Sequence, residues 1–165
     1  MTFIPNETFI PASGQVIGER EKELMHKAVD RGWLTSSSFN REFEDTLCRW
    51  LGAKAIRTVN SGSSANLVAF MALTSPKLGE RAIKKGDEVI SVACGFPTTI
   101  APIIQFGAVP VFLDINTTLN IATKELESAI TPKTKAIFLA HTMGNPFNLE
   151  EIVALAKKHD LWLIE

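Results

Sequence analysis

The spacing of apolar residues along the chain changes at Gly52. Before it the period is helical. Leu24, Ala28 and Val29 share one side of a segment that predicts a helix over Glu19–Arg31, and Gly32 supplies a C-terminal stop. Trp33 to Ser38 reads as a loop whose last serine caps a second helix. In that helix Phe39, Phe43, Leu47, Trp50 and Leu51 fall on one face, and Gly52 ends it. Ahead of both, Met1 to Gly18 carries Pro5, Pro11, Gly14 and Gly18 and reads as an extended arm.

Beyond Gly52 short apolar runs alternate with helical patterns. Strands are predicted over Lys54–Val59, Glu88–Ala93, Val109–Ile115, Lys135–Ala140 and Leu161–Glu165. Helices are predicted over Ala65–Leu73, Thr98–Phe106 with a break at Pro102, Lys124–Ile130 and Leu149–Lys158. Asn148 followed by Glu151 is a variant capping box for the last of these, and Gly86 and Gly107 mark returns from helix to strand. Ala65–Leu73 is apolar nearly all round, which predicts burial. This alternation is the pattern of an α/β fold with a mostly parallel sheet. Residues 1–52 form an arm with two helices, and 53–165 form a sheet domain. The chain stops on the buried-type strand Leu161–Glu165. The expectation is therefore the N-terminal part of a longer protein, its sheet truncated after about five strands.

Composition narrows the function classes. The 165 residues are 45% apolar and 21% charged, and 17 Lys and Arg face 18 Asp and Glu. A net charge of −1 gives no basic footprint for nucleic acid and no pull toward an anionic membrane surface. No apolar run approaches the roughly 20 residues of a membrane span. Met1 to Gly14 lacks the basic start and apolar run of a signal peptide. Cys48 and Cys94 have neither the number nor the spacing of a disulfide framework or a zinc site, so a cytoplasmic setting and no metal ligands are expected.

In parallel α/β sheets ligands bind beyond the carboxyl ends of the strands. Three such ends carry chemistry. Asn60-Ser61-Gly62-Ser63-Ser64 opens a helix with a glycine, hydroxyls and free N–H groups, which suits a phosphate and equally suits a plain serine cap. Cys94-Gly95-Phe96-Pro97-Thr98-Thr99 offers Phe96 as a ring over a planar ligand, or as a core residue, with Cys94 a small buried hydrophobe. His141-Thr142-Met143-Gly144-Asn145-Pro146 can line a cleft or merely form a turn. His26 and His159 read as surface residues. Lys77, Arg81, Lys84 and Lys85 form either a solvated face or a site for a nucleotide diphosphate. There is no G-x-G-x-x-G, Walker loop, H-E-x-x-H or nucleophile elbow.

The order of these pieces resembles the DegT–StrS family of pyridoxal-phosphate enzymes acting on nucleotide sugars. Thr58-Val59-Asn60-Ser61-Gly62-Ser63-Ser64-Ala65-Asn66 is similar to its phosphate cup. Gly86-Asp87-Glu88-Val89-Ile90, Gly107-Ala108-Val109-Pro110-Val111-Phe112 and His141 to Pro146 follow in the family's order, and the resemblance covers residues 10–165. The long loop Leu73 to Arg81, with Gly95 to Thr99 and Gly144-Asn145-Pro146-Phe147, resembles the CDP-4-dehydro-6-deoxyglucose 3-dehydrase subgroup. These are also called the RfbH lipopolysaccharide biosynthesis proteins, which remove a sugar 3-hydroxyl on the way to the dideoxyhexoses of O-antigen.

The resemblance implies an aspartate-aminotransferase-like large domain (fold type I) binding pyridoxal or pyridoxamine 5'-phosphate. It implies that Gly62, Ser63 and Ser64 hold the cofactor phosphate, and that Phe96 stacks on the pyridine ring. Asn145 and Thr142 then face cofactor or sugar, and Trp33 and Ser36 belong to the segment at the active-site mouth. Ordinary members bind the cofactor covalently through a lysine; the dehydrases have histidine there, left free as a proton-transfer base. That residue, the acidic partner of the pyridinium nitrogen and the cysteines of an iron–sulfur cluster found in some dehydrases are all expected beyond Glu165. A nucleotide-sugar substrate, a homodimer and, for cluster-bearing members, a reductase partner follow from the same resemblance. Lys54–Val59 is expected to lack the strand that pairs with it. A sugar aminotransferase and a non-catalytic truncated paralogue are the competing readings.

Overall fold

Four short strands form a wholly parallel sheet in the order β2–β1–β3–β4: β1 Glu88–Val92, β2 Val109–Leu113, β3 Thr134–Phe138 and β4 Trp162–Ile164. The computed structural model describes residues 4–10 and 13–165, so part of the predicted arm lies outside the described residues. Contacts divide the chain into two units, Met1–Thr58 and Val59–Glu165.

The second unit holds the sheet. Ile90 stands opposite Val111 on one side and Ile137 on the other, and Ile137 opposite Leu163. Side chains alternate across a strand, so the sheet feeds two cores. Ile90, Ile137 and Leu139 pack with Leu126, Phe147, Ile152 and Ala156. Val89, Ala136, Phe138 and Ile164 pack with Phe70 and Ile103. The first core lies under α5 (Thr123–Leu126) and α6 (Leu149–Lys158), the second under α3 (Gly62–Leu73) and α4 (Pro97–Phe106). The chain steps from β1 outward to β2, crosses back over β1 to β3, then steps outward again to β4. Right-handed crossovers in opposite directions put their helices on opposite faces, as seen.

The parallel α/β class is as expected, but several details differ. Lys54–Val59 is not a strand, because no described residue pairs with it in a ladder; among the described residues there are four strands rather than five. α4 runs through Pro102 without a break. In so short a helix the proline forfeits one internal hydrogen bond, and its buried ring packs in place. α3 starts at Gly62, three residues before the predicted start at Ala65, and only Phe70 in it is buried, leaving Leu67, Val68 and Met71 exposed. β2 ends at Leu113 because Ile115 turns away to an isolated antiparallel bridge with Ile121. α5 keeps four residues before tightening into a 3₁₀ turn, Glu127–Ala129. Cys94 is exposed, not a buried hydrophobe. Gly107 takes a φ of +94° at the end of α4, as a helix C-terminus requires, and Asn148 caps α6 by accepting from the Glu151 N–H at 3.3 Å.

The first unit contains α1 (Glu19–Asp30) and α2 (Ser38–Leu51), neither with a buried residue. Ser38 is the first helical residue rather than the cap; its hydroxyl is taken by the Arg31 guanidinium, and Ser37 occupies the cap position without a side-chain bond. Glu44 does what a neighbouring strand would otherwise do. Its carboxylate accepts the Thr58 N–H and the Thr58 hydroxyl, each at 2.8 Å, and the Asn40 amide at 3.0 Å. The bond from the Thr58 N–H, then that from its hydroxyl, holds Glu44 below the usual carboxylate range. A lowered native pKa contributes stability above the unfolded value of about 4.3, which is lost as pH falls through the native value. Glu44→Gln is expected to flatten the acid limb of the denaturation midpoint below about pH 4 and to reduce amide protection at Thr58. An unchanged acid limb would remove Glu44 from this role.

Candidate functional site

The order of the sheet places a topological switch point between β1 and β3, the position where open α/β sheets bind ligands at their carboxyl edge. A cavity of about 210 Å³ lies there, lined by Ser91, Ala93, Phe96, Thr99, Ala140 and Thr142 among others. Phe96 sits at the N-cap of α4 and is 68% exposed. Its backbone supplies the cap geometry, Pro97 sets the first helical turn, and the ring is left free on the wall. Ser91 spends its buried hydroxyl on the Phe138 carbonyl at 2.7 Å, tying β1 to β3 beneath the opening.

α3 aims its N-terminus at the same edge. Its last turn is fixed at the amino edge, where the Ile83 N–H donates to the Leu73 carbonyl at 2.9 Å a few residues ahead of β1. Phe70 near its end meets Phe106 at the end of α4, ring centroids 6.1 Å apart, so the two helices run the same way, against the strands. Twelve helical residues rise about 18 Å, the length of a five-residue strand. Ser61 caps α3, accepting the Ser64 N–H at 3.2 Å. The Gly62 and Ser63 N–H groups, at the first two helical positions, have no acceptor within the helix. Space around Gly62 is open: a Cβ built there meets nothing within 4 Å. Unpaired N–H groups with the positive end of a helix dipole suit an anion, and an exposed aromatic wall suits a flat ring.

The loop after β3 closes the other side. Met143 (φ 56°) and Gly144 (φ 75°) are both left-handed, and the Asn145 N–H donates to the Thr142 carbonyl at 3.0 Å, the mark of a type I′ turn. Asn145 gives its side-chain amide to the Thr118 carbonyl at 2.8 Å, and Asn120 gives its own to the Pro146 carbonyl at 3.0 Å. Thr142 therefore lines the cavity with Phe96, while the Asn145 amide braces the loop. Trp33 and Ser36 belong to the first unit, where the Trp33 ring N–H donates to the Ser36 carbonyl at 3.2 Å. Of the basic cluster, Arg81 lies over the Trp162 ring at 3.8 Å and pairs with Asp160 at 3.2 Å, both at the start of β4. That is the edge opposite the cavity. The Glu44 clamp escapes a reading of the sequence, because Glu44 and Thr58 meet only in the folded chain.

Met143 is 99% exposed, so its side chain adds nothing to the core while its backbone is strained. Met143→Asn is expected to raise the stability of the full-length protein by about 0.5–1 kcal/mol, read from the urea midpoint. A loss of stability would mean that Met143 is held by a contact outside this chain.

A profile of the DegT/DnrJ/EryC1/StrS aminotransferase family matches residues 15–165. The chain belongs to this family. Among its DegT-family relatives, the lipopolysaccharide biosynthesis protein RfbH of Salmonella typhimurium is 54% identical over 164 residues, covering 99% of this chain and 38% of the relative. The dTDP-4-dehydro-2,6-dideoxy-D-glucose 3-dehydratase of Saccharopolyspora spinosa is 46% identical over 165 residues, covering 99% of this chain and 36% of the relative. Among solved DegT-fold structures, the E. coli GDP-4-keto-6-deoxy-D-mannose-3-dehydratase with bound hydrated PLP superposes with a TM-score of 0.85 at 34% identity, over 93% of this chain and 39% of that one. The chain thus spans about 38% of the length of the relative it matches at 54% identity. The four-stranded parallel sheet is part of an aminotransferase-like large domain. Among the described residues no helix is long and apolar enough to cross a membrane.

Proposed function

We propose that this chain is the N-terminal part of a pyridoxal-phosphate-dependent nucleotide-sugar 3-dehydrase that removes the C3 hydroxyl of CDP-4-dehydro-6-deoxyglucose in lipopolysaccharide dideoxysugar biosynthesis. The observation that carries it is the 54% identity to RfbH across nearly the whole chain. The site fits the cofactor: the open helix start at Gly62 and Ser63 suits its phosphate, and the exposed Phe96 ring suits its pyridine. Bound there, pyridoxal phosphate supplies an electron sink for bond breaking next to the sugar carbonyl. In this reading Gly62, Ser63 and Ser64 bind the phosphate. Phe96 orients the ring and keeps water off one face. Asn145 faces the cofactor and Thr142 the sugar, and Trp33 and Ser36 are assigned to the substrate. The proton-transfer base belongs to residues outside this chain. So do the ligands of any iron–sulfur cluster. The working unit is a cytoplasmic homodimer serving O-antigen synthesis.

The test is to purify the full-length protein with its cofactor and supply CDP-4-dehydro-6-deoxyglucose with and without an amino donor. Loss of the C3 hydroxyl is expected. Transfer of an amino group to C4 instead would select the sugar-aminotransferase reading, which the family's description keeps in play. Failure to bind pyridoxal or pyridoxamine phosphate would sink both.

A further inference from the structure

The carboxyl edge carries one more organised set of groups, which the roles above leave unused. His141, the third residue beyond β3, reaches the end of β4. Its Nε2 lies 2.9 Å from Oε2 of Glu165, the residue just after β4. Its ring stacks on Phe147, centroids 4.2 Å apart and planes 16° from parallel. Phe147 is itself buried in the core under α6, so the stack is anchored to a rigid base. The residues on either side, Ala140 and Thr142, both line the cavity with Phe96.

The position of the imidazole is thus set twice, once by a carboxylate and once by a ring, yet its side chain stays 35% exposed. Among the described residues Glu165 is the one charged group paired with it, and Nδ1 has no hydrogen-bond partner. A carboxylate on one ring nitrogen fixes the tautomer and leaves the other nitrogen as a proton acceptor, the same division of labour that orients imidazole bases elsewhere.

We infer that His141 and Glu165 form an acid–base dyad of the switch-point site. Glu165 accepts the Nε2 proton and holds the ring, and Nδ1 binds a hydroxyl of the bound sugar and exchanges a proton with it. The inference rests on the proposed function, which supplies the sugar, and adds to it a proton-carrying group within this chain.

Two measurements on the full-length enzyme test it. In the first, ¹⁵N-histidine spectra of the wild type are taken with and without the nucleotide sugar. The neutral ring is expected to carry its proton on Nε2, and the Nδ1 signal is expected to move when the sugar binds. A proton on Nδ1, or an Nδ1 signal the sugar leaves unmoved, overturns the dyad while the proposed function stands. An enzyme that binds no nucleotide sugar overturns both. The second measurement compares His141→Asn with the wild type. The variant is expected to keep its cofactor, lose about 10²-fold in kcat and lose one limb of the pH–rate profile. Glu165→Gln is expected to shift that limb rather than abolish it. A His141→Asn enzyme with both limbs and full kcat overturns the dyad. So does one whose activity falls while both limbs remain, since a structural role would act that way.

Discussion

Ser63→Asp in the full-length enzyme is expected to weaken cofactor binding severely while leaving the helix that carries it at least as stable. The two effects have opposite signs for one reason. Residue 63 is the second residue of α3, where the N–H groups and the helix dipole favour negative charge. Without a ligand, a carboxylate there is worth about 0.3–1 kcal/mol to the helix. A phosphate at the same place must then share the site with a like charge. At about 4 Å and an effective dielectric near 20 the repulsion is about 4 kcal/mol per charge pair, so the cofactor dissociation constant should rise about 10³-fold. It should recover partly in high salt. The measurement is a titration with pyridoxal phosphate followed by absorbance, beside a thermal melt of the cofactor-free protein. An unchanged dissociation constant would mean that Ser61 simply caps α3 and that the phosphate lies elsewhere.

Expressed by itself, the 165-residue chain is expected to be inactive and prone to aggregate, with amide protection confined to β1, β3 and the helices packed on them. Val89, Ile90, Ala136 and Ile137 are fully buried at the centre of the sheet. The first unit has no such centre. α1 and α2 bury nothing, Trp50 is 79% exposed, and Lys54–Val59 has no ladder partner among the described residues. Helices of 12 and 14 residues are marginal without tertiary packing. Exposed apolar faces and unpaired backbone are what association feeds on. Hydrogen exchange read by mass spectrometry would locate the protected amides, and sedimentation would give the association state. A monomer at micromolar concentration, protected evenly from α1 to β4, would overturn this expectation.

The strands that read well from sequence are those that find neighbours. Val89-Ile90 and Ala136-Ile137 are apolar runs between polar turns, and each is buried on both faces by its own sheet. Lys54–Val59 also reads as a strand and yet forms none, because a strand is a relation between two segments and no described residue pairs with it. The face of α3 shows a similar gap between pattern and packing. Its nearly uniform apolar surface predicts burial on every side, yet the second unit covers only the side around Phe70. Ser38 is not the cap that the loop pattern predicts: it is the first helical residue, and Arg31, seven residues earlier, takes its hydroxyl. Of the site, Phe96 and the Ser61–Ser64 turn were legible because both sit at the breaks between strand and helix patterns.

The sequence by itself determined the parallel α/β class, the helix ends at Gly52 and Gly107, the cap at Asn148 and the family, since these follow from residue spacing and from side chains acting within a few positions of themselves. Only the tertiary structure decided the strand order that opens a crevice between β1 and β3. It also decided that Phe96 and Thr142 line one cavity, the clamp of Glu44 on Thr58 and the pairing of His141 with Glu165. These contacts join residues 14 or more positions apart. Local propensity and hydrophobic period act over a few residues and carry no information about which distant segments will share an edge, so the site becomes visible only when the sheet has set its strands side by side.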